Sequence, residues 1–186
     1  MSTSGKHELL TLEPFIAAVR AGVEGAGWTL SGLQKTTSHQ FEGRWEGEST
    51  RSAYLFFHAD GRAEDASIDV YLDETSQGLT GNLALVVDLV RLAELGDPAD
   101  ALRVFGALSS ALLPPEHATP VTLRLRLQDG DEDPATAETE VRFKVRIPRR
   151  TVAAGADAVR GLAESAVAGF ERILTSPRLT RYAVSD

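Results

Sequence analysis

The sequence predicts an α+β domain: a two-layer antiparallel sheet with three helices, in the order α, four or five β, α, ββ, α. Two observations carry that prediction. Between residues 120 and 148, Val121, Leu123, Leu125 and Leu127 alternate with Thr122, Arg124, Arg126 and Gln128. After an acidic break, Thr139, Val141, Phe143, Val145 and Ile147 alternate with Glu140, Arg142, Lys144 and Arg146. A period of two with β-branched and aromatic residues on the apolar side marks half-buried strands, one face toward a core and one toward water. Elsewhere three segments carry apolar residues at helical spacing, each bounded by proline or glycine. Helices segregated from antiparallel strands cover the apolar face of such a sheet.

In chain order, residues 1–10 are small and polar and are expected to be a flexible terminus, with one domain over 11–186. Leu12, Phe15, Ile16, Val19 and Val23 lay one apolar stripe along a first helix. Thr11 or Glu13 suits its cap, Pro14 is tolerated in its first turn, and Gly22, Gly25 and Gly27 close it. From Trp28 to Asp73 the period changes to two. Trp28 and Leu30, then Phe41 and Trp45, then Tyr54 to Phe57, then Ile68, Val70 and Leu72 read as four short strands. The predicted breaks are residues 36–39, 47–50 and the turn His58-Ala59-Asp60-Gly61. Residues 77–82 read as a loop, and the valine-rich run 83–95 favours a buried strand over a helix.

Asp97-Pro98 is an N-cap followed by proline at the first helical position. It opens a second helix, with Ala101, Val104, Phe105, Leu108, Ala111 and Leu112 on its stripe, that Pro114-Pro115 ends. The alternating pair of strands follows. A third helix spans residues 153–174, with Asp157 in its first turn and Ser176-Pro177 as its stop. Val159, Leu162, Ala166, Phe170 and Ile173 form its stripe and are the candidate dimer or partner helix. The tail from Arg178 is expected to be mobile or to add a short strand.

Composition excludes several classes. At 186 residues the chain supports one sizeable core. It has no cysteine, so disulfides, thiolate metal sites and cysteine nucleophiles are absent. A formal charge of −8 disfavours a general nucleic-acid binder. No apolar run has the length of a signal peptide or a membrane span, so a cytoplasmic protein without membrane contact is expected.

His7, His39, His58 and His117 are not paired at metal-binding spacing, and no nucleophile elbow, S-x-x-K or phosphate loop occurs. The expectation is no enzyme, no cofactor and no metal. Asp129, Asp131, Asp133 and Glu140 fall at positions 1, 3, 5 and 12 of a calcium-loop pattern, but Pro134 stands where the turn needs glycine. That segment reads as a solvated acidic hairpin loop.

The candidate binding face is basic. Arg124 and Arg126 share a side of one strand, and Arg142, Lys144 and Arg146 share a side of the next, extended by Arg149 and Arg150. Five like charges side by side need an answer. Either strand carboxylates such as Glu42, Glu46 or Asp69 pair with them, or an acidic protein segment or phosphates dock there. The many carboxylates on similar strands favour internal pairing, and the scarcity of aromatics weakens single-strand nucleic-acid binding.

The order of elements resembles that of the bacterial YbjN family and of the class I type III secretion chaperones, which share an α-β-β-β-α-β-β-α plan. Residues 101–113, 121–127, 141–147 and 159–174 match the second helix, the last two strands and the last helix. The first half carries an extra strand or two, which departs from the plan. The resemblance implies a non-enzymatic, homodimeric, chaperone- or adaptor-like module that holds a partner protein segment, and it offers no catalytic residues. The alternative reading is a small apolar-ligand domain of helix-grip type, in which Trp28, Trp45, Phe56 and Phe143 line a pocket.

Overall fold

The computed structural model describes residues 12–38, 50–59, 66–75, 77–89, 97–127 and 138–183. The first helical stripe forms α1 (Leu12–Glu24), and the alternating region forms β1 (Trp28–Ser38), β2 (Thr50–Ala59), β3 (Ala66–Thr75) and β4 (Gly78–Leu89). Then come α2 (Pro98–Leu112), β5 (Thr122–Arg126), β6 (Glu138–Ile147), α3 (Arg149–Ala153), α4 (Ala156–Leu174) and α5 (Pro177–Ala183). All strand pairings are antiparallel, in the sheet order β1-β2-β3-β4-β6-β5. The α+β class and the antiparallel sheet stand as predicted.

Several boundaries are corrected. Residues 78–82 belong to β4 and not to a loop: Leu79, Leu83, Leu85 and Val87 keep one period of two, and Thr75 already faces Gly78 in register. The Thr75 hydroxyl accepts from Gln77 N and donates to Gly78 O, which tightens the reversal. The run from Leu83 is strand as far as Leu89. β1 runs through the predicted break at Thr36 in unbroken register as far as Ser38, and its bulge lies earlier, between Leu30 and Gly32. His58 and Ala59 are strand residues, paired with Thr29 and Trp28. The predicted strand at Phe41 and Trp45, the turn residues Asp60 and Gly61, the acidic loop 129–137 and the flexible terminus 1–10 lie outside the described residues.

The predicted third helix over 153–174 is α4, and a short helix flanks it on each side, α3 before and α5 after. Gly155 has φ 107°, a left-handed conformation that divides α3 from α4 and that a residue with Cβ adopts at a cost. Beyond α4, Pro177 starts the new helix α5 where a mobile tail or strand was expected; Leu179 and Tyr182 are buried on it. α2 starts as predicted, with the Asp97 carboxylate accepting from Ala99 N at 2.9 Å.

Packing follows from the two periodicities. The inward residues of the sheet (Leu55, Phe57, Ile68, Val70, Leu83, Leu85, Phe143 and Val145 among them) form one core with the stripes of α1, α2, α4 and α5. Phe105 of α2 meets Phe143 of β6 and Tyr182 of α5 edge-on. Each such fully buried side chain contributes about 1.5–3 kcal/mol. The helices thus occupy one face of the sheet, and the opposite face has no helix over it among the described residues.

Candidate functional site

Period-two alternation points Ser52, Tyr54, Phe56, Asp69, Tyr71, Asp73, Thr80, Asn82, Lys144 and Arg146 away from the core. The register then joins residues across four adjacent strands. Tyr54 stands opposite Tyr71, Tyr71 opposite Asn82, and Asn82 opposite Arg146. In the next row Phe56 faces Asp69, Asp69 faces Ala84, and Ala84 faces Lys144. The Tyr54 and Tyr71 rings are 4.7 Å apart. Tyr54 and Phe56 are each 37% exposed, so this face carries an aromatic stretch at one side and cations at the other.

The five predicted basic residues divide into two groups. Arg124 lies opposite Glu140 and Arg126 opposite Glu138, and the side chains approach to 3.8 and 4.0 Å. Arg142 reaches Glu140 at 2.6 Å and Asp69 at 3.6 Å. The Asp69 pairing is the cross-strand answer expected from the sequence, while Glu42 and Glu46 lie outside the described residues. Burial pushes the Asp69 carboxyl above the usual carboxylate range, and the Arg142 charge pulls against that rise. Lys144 and Arg146 have no ion pair among the described residues. Arg149 and Arg150 make single surface contacts, with Gln77 at 3.1 Å and Glu116 at 2.9 Å.

Lys144 and Arg146 line an open hollow of about 620 Å³ with Tyr71, Asp73, Thr80, Asn82 and the segment Thr119, Pro120 and Thr122. The wall exists because the chain after Pro114-Pro115 continues the edge of the sheet. His117 O accepts from Arg146 N at 2.7 Å, and Thr119 N donates to Lys144 O at 3.1 Å. These bonds hold the β6 backbone under both cations. A second hollow, shared through Thr80 and Arg146, runs on to Arg149 and Arg150. His117 lies behind this cationic end with a buried, unpartnered Nδ1. Burial first, then Arg150 and Arg146, lower its pKa, so its ring is neutral at neutral pH. The chemistry on offer is anion binding beside an aromatic surface.

The other predicted site residues are placed differently. Val159, Leu162, Ala166, Phe170 and Ile173 are buried in the chain's own core, so they offer no surface to a second molecule in the folded state. A helical stripe is the same whether it meets a partner or the molecule's own sheet, and here the sheet takes it. The aromatic set of the ligand-pocket reading does not converge either. Trp28 and Phe143 are in the core, Phe56 is on the opposite face of the sheet, and Trp45 lies outside the described residues. Leu125 and Leu127, expected to face the core, are 46% and 51% exposed at the edge of the sheet.

Thr80, Asn82 and Tyr71 were not anticipated as site residues. Extending the Leu83-Leu85-Val87 alternation back through Leu79 finds the first two. Among the described residues no group of His, Asp and Glu could hold a metal ion, and no helix is long and apolar enough to cross a membrane. Comparison with protein-family models, with curated proteins and with solved structures finds no match.

Proposed function

We propose that this chain is a non-enzymatic protein-binding module, chaperone- or adaptor-like, that acts as a homodimer and holds a partner segment on the helix-free face of its sheet. The observation that carries this reading is the juxtaposition, on a face with no helix over it among the described residues, of exposed Tyr54 and Phe56 with Lys144 and Arg146, which have no ion pair among those residues. Interfaces are enriched in aromatic residues and arginine and are rimmed by polar side chains. The resemblance to the YbjN family and the class I type III secretion chaperones supports it at the level of element order. Four described strands before α2, and a final helix divided at Gly155, are departures from that plan.

The test places a photo-crosslinking amino acid at Phe56 and, as a control on the helix side, at exposed Arg103, in cells that express the chain. The reading expects a discrete protein adduct from position 56 that position 103 does not give. Equal labelling from both positions, or none from position 56, refutes it. Light scattering on a sizing column tests the homodimer separately.

A further inference from the structure

We infer that the segment held on this face is an extended polypeptide with acidic side chains at alternate positions, one seated on Lys144 and the next on Arg146. This rests on the binding-module reading above and adds the chemistry of the partner. Lys144 and Arg146 are two residues apart on one strand and lie on the same face, about 6.7 Å apart along it. An extended chain repeats its own same-side positions at that same interval. Acidic residues at i and i+2 of a segment running along β6 therefore meet both cations in register.

The internal charges explain why the site is here and not at the other end of β6. Arg124, Arg126 and Arg142 are answered by Glu138, Glu140 and Asp69, whereas Lys144 and Arg146 stand side by side without an ion pair among the described residues. Two adjacent like charges repel each other, and an anionic segment relieves that repulsion as it binds. Thr80, Asn82 and Thr122 supply hydrogen-bonding groups around the hollow, and Tyr71 supplies an apolar surface for the residue between the acids.

A polyphosphate backbone offers anions at a comparable interval. Two features favour a polypeptide over it. Asp73 lines the same hollow and Asp69 lies in the row of Lys144, so a dense polyanion meets fixed negative charge on this face. The chain's net charge of −8 adds a repulsive far field that grows with ligand charge.

The test is fluorescence anisotropy with the full chain and three labelled probes. They are a dodecapeptide of alternating Glu and Ser, its isomer with the glutamates in adjacent pairs, and a thymidine oligonucleotide of equal charge. The isomer has the same composition but no acids at i and i+2. The expected result is about threefold tighter binding of the alternating peptide than of its isomer, and about tenfold weaker binding by the Lys144→Glu/Arg146→Glu double variant. Lys144→Ala/Arg146→Ala serves if the charge-reversed variant does not fold.

Equal binding of the two peptides overturns the spacing match. Equal or tighter binding of the oligonucleotide overturns the choice of polypeptide. Absence of peptide binding, with the adduct at Phe56 retained in the double variant, overturns this inference and leaves the binding-module reading standing. Loss of that adduct in wild type sinks both.

Discussion

Glu74 is the side chain whose burial conflicts most with its chemistry. Alternation carries it inward after Ile68, Val70 and Leu72, where it is 2% exposed and neither carboxylate oxygen has a hydrogen-bond donor. Arg51, its neighbour on β2, brings Nε to 3.2 Å of Oε2 while staying 38% exposed. At an effective dielectric of about 20 that contact is worth roughly 5 kcal/mol of attraction. Desolvating the carboxylate costs several kcal/mol, and without added hydrogen bonds the attraction does not recover it in full. Burial accordingly raises the Glu74 pKa, with Arg51 opposing and Glu13 adding to the rise.

The sign of the pH effect follows. The folded chain holds this proton more tightly than the unfolded chain, so the group's stabilising contribution is complete below its unfolded pKa of about 4.3. It is lost as pH rises through the higher folded value, and at neutral pH the ionised group is a burden. Glu74→Gln removes that burden and is expected to leave stability at pH 8 unchanged or higher, with a smaller decline from pH 5 to pH 8 than wild type. Arg51→Met leaves a buried carboxylate unanswered and is expected to cost on the order of 3 kcal/mol at pH 8. Urea unfolding of the three proteins at both pH values measures this. A larger loss for Glu74→Gln than for Arg51→Met, or a pH profile that Glu74→Gln leaves unchanged, refutes the reasoning.

Phe170→Asp, a natural choice to break a dimer through α4, is expected to unfold the chain, and even Phe170→Ala to cost about 3–5 kcal/mol in chemical denaturation, because the ring is fully buried. Gly169→Ala would set a Cβ 2.6 Å from Leu112 O and is expected to cost about 1–3 kcal/mol, whereas Gly161→Ala on the open side of the same helix gains about 0.5–1 kcal/mol; thermal melts of the pair compare them. Trp28 Nε1 donates to Glu171 Oε1 at 2.7 Å across the helix–sheet interface, so Glu171→Ala is expected to lower stability by about 1–3 kcal/mol in a melt followed by tryptophan fluorescence.

What the sequence made legible depends on the range of the interactions involved. The strand pair β5 and β6 and the capped start of α2 were readable because alternation and an Asp-Pro cap are local signals. The break at Gly155 is also local, but the positive φ that makes it a break is a property of the folded backbone. The division of the basic residues was not readable. It depends on Arg124 meeting Glu140 and Arg142 meeting Asp69, and the second contact spans β3, β4 and β6. Glu74 was within reach, since continuing Ile68, Val70 and Leu72 by one more step predicts a carboxylate in the core.

The proposed dimer and the proposed acidic partner constrain each other. Since the apolar stripe of α4 is spent on the core, the helix-free face and the edge strands β1 and β5 are among the surfaces left to a second copy. A dimer across the helix-free face covers Lys144 and Arg146 and competes with the acidic segment for the same cations. An edge dimer does not. β5 is a five-residue edge strand with Leu125 and Leu127 exposed beside it, and its outer edge has no strand neighbour among the described residues. Pairing β5 with its symmetry copy would continue the sheet, cover both leucines and satisfy the edge. It would also set two helix-free faces side by side, each with its own cationic hollow still open. If the chain both dimerises and holds an acidic segment, a sheet-edge dimer lets neither activity exclude the other, and β5 is the edge with exposed Leu125 and Leu127 for such a dimer to cover.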